Sequence, residues 1–263
     1  MPFVELGGLR IFQFNHLSLA QVTQAVVTRR GGVSEGPYSE LNVGSSVGDD
    51  PTRVSQNLDR IFAAIGRPRA SLFDSFLVHG IGALVAGGPR PQEWGRPPQG
   101  DIILTNKPHV TLFMRYADCV PLVYVDPVRQ ALALAHAGWR GTLLRVAAKA
   151  VDELRLHFGS RPEDLLVGIG PAISVKNYAV GPEVVAAVQA ALGVAGDLLP
   201  RYGETIHFDL VAANRLALEE AGVRNIEQSG LCTFENQQDW FSHRGSGGKT
   251  GRFGALLALK GHA

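Results

Sequence analysis

The sequence lacks any apolar run of about 18 residues, the length that a helix needs to cross a bilayer. It also lacks a basic start followed by an apolar segment, which is the pattern of a secretory signal. Neither sign of charge is in excess, because 25 basic residues face 24 acidic ones for a formal net charge of +1. These absences predict a cytoplasmic protein that has no nucleic-acid and no membrane partner.

Cysteine is scarce, with only Cys119 and Cys232 in the chain. The two could pair in principle, but the thiols of a cytoplasmic protein stay reduced and serve as ligands or reactive groups. Each cysteine is therefore a candidate for chemistry rather than for a disulfide.

The composition is that of a well-buried globular protein, because 45% of the 263 residues are apolar and 19% are charged. No repeat of solenoid length, low-complexity tract or long linker divides the chain. We therefore expect one domain over residues 1–263. The Gly- and Pro-rich stretch 87–100 predicts a surface loop.

Apolar periodicity predicts three helices, over residues 51–65 after Asp50, 141–158, and 210–222 after Asp209. Strands are predicted at 25–28, 73–79, 101–104, 110–116, 121–125, 130–136, 165–169, 226–231 and 254–259. Strands followed by helices recur along the chain. This order favours an α/β fold in which mixed β-sheets are layered with helices.

The dipeptide Asp126-Pro127 predicts a tight turn between two apolar strands. Cys119 lies just before the first strand and His136 at the end of the second. Antiparallel pairing brings such positions to the same end of a sheet, where His79 at the end of another strand could join them. Thiolate sulfur and imidazole nitrogen are ligands that zinc prefers, and three protein ligands leave a fourth position open.

The spacing of these residues leaves other interpretations open. Cys119 and His136 at one sheet end could also be a nucleophile and its base, as in a cysteine hydrolase. A buried inert cysteine beside hydrogen-bonded histidines would give the same pattern.

A second candidate region lies near the start of the chain. Arg29 and Arg30 stand beside Gly31 and Gly32 at a predicted strand end, where two guanidinium groups could hold a phosphate. No Gly-Lys-Ser/Thr closes this segment, so it is not a P-loop. A solvated turn remains the alternative. Polar donors and glycines also recur over 240–244 and 250–252, as they would in an exposed loop.

Seven motifs, in chain order, carry a resemblance to a known family. They are Thr28-Arg29 to Ser34, Leu41-Asn42-Val43-Gly44, Val78-His79-Gly80, Ala117-Asp118-Cys119-Val120-Pro121, His136-Ala137-Gly138-Trp139-Arg140-Gly141, Gly168 to Pro171, and Ser242 to Arg252. Together they resemble the laccase-domain, YfiH-like family, long labelled polyphenol oxidases and later understood as purine nucleoside phosphorylases. The resemblance covers about residues 24–259, and its two Cys- and His-containing motifs are highly specific at this spacing.

The resemblance implies a single α/β domain that binds zinc through the residues at His79, Cys119 and His136. It further implies phosphorolysis of adenosine, inosine and S-methyl-5′-thioadenosine, with accompanying deamination of adenosine. Arg29 and Asn42 fall on family motif positions, for which we expect phosphate or ribose contacts. Leu77 stands where the family often has glutamine, and residues 80–83 lack an aspartate often seen there. Both departures bear on substrate preference.

Zinc is favoured over copper by a count of ligands. A multicopper oxidase needs several His-x-His pairs, whereas this chain has eight histidines and no such pair. In the expected reaction Arg29 and Arg244 hold orthophosphate, and Asp118 is a candidate proton shuttle or a residue that orients a ligand. The alternatives are a cysteine hydrolase or deamidase, a copper-dependent polyphenol oxidase and a nucleoside-sensing domain. A monomer and a homodimer are equally compatible with the sequence.

Overall fold

A computed structural model of the chain describes residues 3–91, 95–193 and 196–260. The helices are α1 (Pro51–Ala64), α2 (Trp139–Leu143), α3 (Val146–Phe158), α4 (Pro182–Leu192) and α5 (Leu210–Glu220). The strands are β1 (Phe3–Leu6), β2 (Leu9–Phe12), β3 (Val22–Val27), β4 (Leu72–Asp74), β5 (Ala83–Val85), β6 (Ile102–Thr105), β7 (Thr111–Tyr116), β8 (Val120–Asp126), β9 (Ala131–Ala137), β10 (Leu166–Ile169), β11 (Arg201–Tyr202), β12 (Thr205–Ile206), β13 (Asn225–Gln228) and β14 (Phe253–Leu259). Short 3-10 turns occupy His16–Leu19, Gly36–Tyr38, Arg69–Ser71, Pro162–Asp164, Val175–Asn177 and Gly196–Leu198.

Two six-stranded mixed sheets form the centre of the fold. The first has the strand order β1-β2-β3-β14-β7-β4, and the second has the order β13-β10-β8-β9-β6-β5. The first sheet has one parallel pairing, β4 with β7, and the second has two, β5 with β6 and β10 with β13. The remaining pairings are antiparallel. The predicted class, mixed β-sheets layered with helices, is confirmed.

The sheets are stacked face to face between two helical layers. Large apolar side chains of β7 and β14 meet those of β8 and β9 in one buried cluster between the sheets. The outer face of the first sheet packs against α1, and the outer face of the second packs against α3 and α5. Because both faces of the central strands are covered, these strands read as continuous apolar runs instead of alternating ones.

The β8–β9 hairpin follows the predicted turn at Asp126-Pro127, with Asp126 opposite Ala131 and Pro121 opposite His136. Along β9 the alanines face the helical layer, whereas Leu132 and Leu134 face the first sheet. Side chains alternate with a period of two in a strand, so His136 continues the inner face of β9. The pairing thus delivers this imidazole to one end of the layer between the sheets.

The prediction of one continuous helix over 141–158 is wrong. The segment forms two helices, α2 and α3, separated by Arg145, whose backbone is left-handed with φ 62°. Each helix has its own packing, because Thr142 of α2 accepts a hydrogen bond from Asn214 of α5 at 2.8 Å, whereas α3 covers β9. The helices predicted after Asp50 and Asp209 are confirmed, and each aspartate side chain accepts a backbone N–H of the first turn.

The strand predicted over 73–79 is also too long. Only residues 72–74 pair as β4, and residues 75–82 form an irregular segment. His79 in that segment is left-handed with φ 60°, and the amides around it bond to a carboxylate instead of a neighbouring strand.

Five strands and one helix were not expected from the sequence: β1, β2, β5, β11, β12 and α4. These strands have two to four residues, too few to give a clear apolar pattern, and β1 and β5 are edge strands of the two sheets. The predicted loop 87–100 has no helix or strand in its described part, and its residues 92–94 lie outside the described residues.

Among residues 3–91, 95–193 and 196–260, none of the helices combines the length and the apolar character that a bilayer crossing requires.

Candidate metal centre and active site

Three side chains meet at one end of the layer between the sheets: His79, Cys119 and His136. One donor atom from each lies within 4.8 Å of the other two. The rings of His79 and His136 stand edge to face, with centroids 5.0 Å apart. His79 and Cys119 are 40 positions apart in the chain, and Cys119 and His136 are 17 positions apart. The predicted hairpin accounts for the second of these two meetings.

His136 is buried and its ring is held on two sides. Its Nδ1 lies 2.9 Å from Oδ1 of Asp101, and its ring lies 5.6 Å from that of Tyr116 at the end of β7. Because a neutral imidazole has one N–H and one lone pair, donation from Nδ1 to the carboxylate leaves the Nε2 lone pair free. This lone pair is the ligand atom available to a metal.

Cys119 precedes β8 and is half-buried. Its neighbour Asp118 has a left-handed backbone with φ 81°. The Asp118 carboxylate accepts hydrogen bonds from the hydroxyl of Thr233 and the backbone N–H of Arg244, both at 2.6 Å. These contacts fix the loop that presents the thiol by tying it to two segments more than 100 residues further along.

His79 reaches the cluster from the irregular segment after β4, and its side chain is the most exposed of the three. The backbone N–H groups of Val78, His79 and Gly80 all donate to the Asp101 carboxylate, at 3.1, 3.0 and 2.8 Å. The same carboxylate that holds the His136 ring therefore shapes the backbone that carries His79.

Gly138 closes the cluster from the side of β9. A Cβ atom at this position would lie 2.7 Å from His79 Cδ2 and 3.1 Å from Cys119 Sγ. Any side chain would have to push a candidate ligand aside. The glycine after His136 is thus required by close approach of the donor groups.

We expect Gly138→Ala to weaken zinc binding at least about tenfold, because the added methyl displaces His79 from its donor position. Competition with a chromophoric chelator measures this affinity. Gly82→Ala is the matched control, since its Cβ would meet nothing closer than 3.8 Å. Equal zinc affinities of the two variants would contradict the packing argument.

The electrostatics of the cluster favour a thiolate. Burial raises the pKa of Cys119, but the nearby His136 and His79 lower it more, to about 6. Burial likewise lowers the pKa of His136, and the Cys119 thiolate and the Asp101 carboxylate raise it above its usual value. Without a bound metal, these opposite shifts favour a thiolate beside an imidazolium at neutral pH.

This lowered pKa predicts the pH profile of alkylation in metal-free protein. The Cys119 thiolate persists down to about pH 6, so its reaction with iodoacetamide should show a midpoint near pH 6. An ordinary thiol would show a midpoint near about 8.5. Mass spectrometry of the labelled peptide separates Cys119 from the buried Cys232. Added zinc should suppress the labelling of Cys119, and labelling unaffected by zinc would argue against a metal at this sulfur.

The three donors fit a zinc ion. Tetrahedral ligand atoms at about 2.0 to 2.3 Å from Zn²⁺ lie roughly 3.3 to 3.8 Å from one another, within the spread seen here. Across the described part of the chain, no other group of three or more His, Cys, Asp or Glu side chains converges in this way. Three protein ligands also leave a coordination position for a water or a substrate.

A cavity of about 370 Å³ opens beside the cluster. Its polar lining residues are Ser45, Ser46, Ser75, Arg115, His243 and Arg252, and its apolar lining residues are Phe76, Leu77, Pro97, Ala117 and Tyr116. His79, Cys119 and His136 line it as well. A small organic molecule that has both a flat apolar part and an anionic or hydroxylated part suits such a wall.

Two arginines supply positive charge to this cavity. Arg115 pairs with the buried Asp74 at 2.8 Å and donates from Nε to the carbonyl of Val43 at 2.7 Å. Arg252 makes no ion pair with a carboxylate in the described part of the chain, and its Nη1 donates to the carbonyls of Thr250 and Gly251. Burial lowers the pKa of Arg252, so this cation is poorly hydrated and open to an anionic ligand.

Arg29 is not on the wall of this cavity. Its Nε and Nη2 donate to the carbonyl of Ser39 and its Nη1 to that of Gln237, and its guanidinium stacks on Phe241. These contacts join three loops and engage the donors that a phosphate would need. The predicted phosphate contact of Arg29 stays a prediction, and the geometry favours a role in holding the loops.

Asn42 and Arg244 are also absent from the lining of the cavity. The buried Asn42 accepts the backbone N–H groups of Gly44 and Arg252 at its Oδ1, both at 2.8 Å, and so aligns two segments of the wall. Arg244 is exposed, lies over the ring of Tyr178 and donates to the carbonyl of Ala179. Asp118, with both oxygens engaged, matches the orienting alternative better than the proton shuttle.

Sequence reasoning assigned no role in the site to Asp101, Arg115 or Arg252. The partners of Asp101 lie 21 to 35 residues away, so no local motif marks the carboxylate. Arg115 sits within an apolar strand, where an isolated charge is the one available signal. Arg252 belongs to a segment in which the sequence indicates polar donors. Only the fold shows that Arg252 lines the cavity and Arg244 does not.

Comparisons with known proteins show the family to which the chain is similar. The model of the family described as multi-copper polyphenol oxidoreductase laccase matches residues 23–260. A purine nucleoside phosphorylase of Deinococcus radiodurans is 39% identical over 238 residues, covering 90% of this chain and 89% of that protein. Purine nucleoside phosphorylase YlmD of Bacillus subtilis is 34% identical, covering 91% and 89%. The crystal structure of Bacillus licheniformis hypothetical protein YfiH superposes with a TM-score of 0.89 at 31% identity, covering 98% and 99%.

Proposed function

This chain belongs to the multi-copper polyphenol oxidoreductase laccase family, and on that premise we propose that it is a zinc-dependent purine nucleoside phosphorylase. Its substrates are adenosine, inosine and S-methyl-5′-thioadenosine together with orthophosphate. The observation that carries the proposal is the convergence of His79, Cys119 and His136 in the lining of a cavity that Arg252 and Arg115 also line.

The cavity supports a nucleoside and a phosphate side by side. Phe76 and Leu77, both partly exposed, offer apolar surface for a purine, and Ser45 and Ser46 offer hydroxyl groups. Arg252 has guanidinium donors free of any carboxylate in the described residues, which suits a phosphate oxygen. Arg115 adds charge but is partly neutralised by Asp74. We therefore assign the principal phosphate contact to Arg252 in place of Arg29.

Phosphorolysis breaks the bond between the anomeric carbon and the purine nitrogen and forms one to a phosphate oxygen. His79, Cys119 and His136 would hold a Zn²⁺ ion, which supplies Lewis-acid chemistry at its open position. Arg252 orients the nucleophile and offsets its charge, and the apolar wall excludes water that would hydrolyse the same bond. His243, on the wall but outside the ligand set, is our candidate donor of the proton that the leaving purine takes up.

A cysteine hydrolase is the main rival, because a thiolate beside an imidazolium is also the resting state of a cysteine nucleophile. Such an enzyme needs one histidine as base, and a second imidazole against the same sulfur serves no purpose there. Two imidazoles and one thiolate with donor atoms within 4.8 Å of one another suit a metal ion better than a nucleophile and its base. The geometry therefore favours the metal.

The accompanying deamination of adenosine is part of the proposal, with the same three ligands and the same cavity. Copper is the alternative that the family description suggests. One thiolate and two imidazoles cannot bind the several coppers of a laccase, so we propose a single zinc. Leu77 lines the cavity where the family often has glutamine, and it removes a polar contact from the wall that selects the substrate.

Release of hypoxanthine from inosine tests the proposal. Purified zinc-loaded protein should release the base only when orthophosphate is present, with ribose 1-phosphate formed in equal amount. Parallel assays with adenosine report phosphorolysis as adenine and deamination as inosine. Release at the same rate without phosphate would indicate a hydrolase, and no release from any of the three nucleosides would remove the phosphorylase assignment.

A further inference from the structure

Asp101 is a buried carboxylate that contacts both histidines of the ligand set, His136 at its ring and His79 at its backbone. Its side chain is 0% exposed. Oδ1 accepts the backbone N–H of His79 at 3.0 Å and lies 2.9 Å from Nδ1 of His136. Oδ2 accepts the backbone N–H groups of Val78 and Gly80. One oxygen atom is thus shared by the backbone of one candidate ligand and the ring of another.

We propose that Asp101 is a positioning residue that fixes the orientation of both metal-ligating histidines and raises the affinity of the site for a divalent cation. The inference rests on the proposed function only in its choice of metal site. It concerns binding and geometry, and it holds or fails separately from phosphorolysis.

The first step of the argument is the tautomer of His136. A carboxylate can only accept a hydrogen bond, so the Nδ1 that faces it must carry the proton. Nε2 then presents its lone pair towards Cys119 and His79. The backbone adds to this orientation, because the His136 N–H donates to the Asp101 carbonyl at 2.8 Å in the pairing next to β6.

The second step concerns His79, whose backbone is left-handed with φ 60°. A residue other than glycine rarely adopts this conformation unless its surroundings impose it. Three successive amides, those of Val78, His79 and Gly80, turn inward and enclose the Asp101 carboxylate as an anion-binding nest. The carboxylate therefore stabilises the strained turn that places the second imidazole.

The third step is charge. In the described part of the chain, Asp101 forms no ion pair with a lysine or arginine, and His136 is its one basic neighbour. A buried carboxylate beside the Cys119 thiolate places two negative charges in the cluster once both histidines are neutral. A dication balances them, and so the site is matched in charge as well as in donor type.

Asp101→Asn tests the inference, because it removes the charge and places N–H donors against the amides with little change of shape. We expect zinc affinity, from chelator competition on the purified chain, to fall by about 10- to 100-fold. Asp126→Asn is the matched control. Asp126 is also buried and accepts two backbone N–H groups, at the opposite end of the β8–β9 hairpin. Its zinc affinity should stay within about twofold of the original chain.

A second measurement removes the dependence on the folding of the variant. Long-range ¹H–¹⁵N spectra of the zinc-loaded original chain should show His136 protonated at Nδ1 and bound to metal through Nε2. A metal bound through Nδ1, or a folded Asp101→Asn chain with unchanged zinc affinity, would overturn the inference. A zinc-binding chain that behaves as expected here but releases no base from nucleosides would refute the proposed function alone.

Discussion

Replacement of Cys119 by alanine is expected to empty the metal site and to slow phosphorolysis of inosine about a thousandfold. The thiolate is the only anionic donor among the three ligands, and the remaining His79 and His136 would bind a zinc ion weakly. Loss of Lewis-acid stabilisation worth about 4 kcal/mol corresponds to this factor. Zinc content by mass spectrometry and the initial rate of hypoxanthine release report the two effects.

Cys232→Ala is the control for this substitution. Cys232 is the other cysteine of the chain and is buried. Its sulfur accepts the backbone N–H of Ser174 at 3.3 Å, and it belongs to no group of three converging ligands in the described residues. Its alanine variant should keep both zinc and activity. If Cys119→Ala retained zinc and rate, the site would be misassigned. If the original chain were active without stoichiometric metal and only Cys119→Ala lost activity, the cysteine hydrolase would be the better account.

Replacement of Arg252 by alanine is expected to raise the KM for orthophosphate about a hundredfold. Truncating one partner of a buried charge pair costs about 2 to 5 kcal/mol, and about 3 kcal/mol corresponds to this factor. The side chain lines the cavity, is largely shielded from water and has no carboxylate partner in the described part of the chain. Steady-state kinetics at saturating inosine and varied phosphate measure the change.

Arg29→Ala separates this assignment from the one that the sequence alone suggests. Arg29 holds the carbonyls of Ser39 and Gln237, so its loss should lower the melting temperature and leave the KM for phosphate within about threefold. The opposite ranking of the two variants would restore Arg29 as the phosphate ligand. Similar small effects of both would move the anion site to another part of the wall.

The ligand set was accessible from the sequence because it depends on a local rule. Asp126-Pro127 sets the turn, the pairing of β8 and β9 follows, and a period of two carries His136 to the inner face beside Cys119. His79 joined the set through the family resemblance and a predicted strand end. The strand was too long, yet the residue was rightly brought to the cluster.

The rest of the site depends on contacts between distant segments. Asp101 was predicted only as the start of a strand, since nothing in its own neighbourhood marks a carboxylate that will bind residues 78–80 and 136. Arg29 and Arg252 stand in similar surroundings of glycine and polar residues, and only the packed loops show which one reaches the cavity. No glycine or proline stands at positions 144–145 to mark the break between α2 and α3 in the sequence. Tertiary packing of the two helices imposes this break. The single-domain organisation, the cytoplasmic location and the oligomeric state stay predictions.

Zinc K-edge X-ray absorption of the purified, chelator-untreated chain tests the central claim most directly. The account predicts one zinc per chain with one sulfur neighbour at about 2.3 Å and two imidazole nitrogens at about 2.0 to 2.1 Å, plus one light atom. A spectrum that contains no sulfur neighbour, or a chain that carries copper in place of zinc, would contradict it.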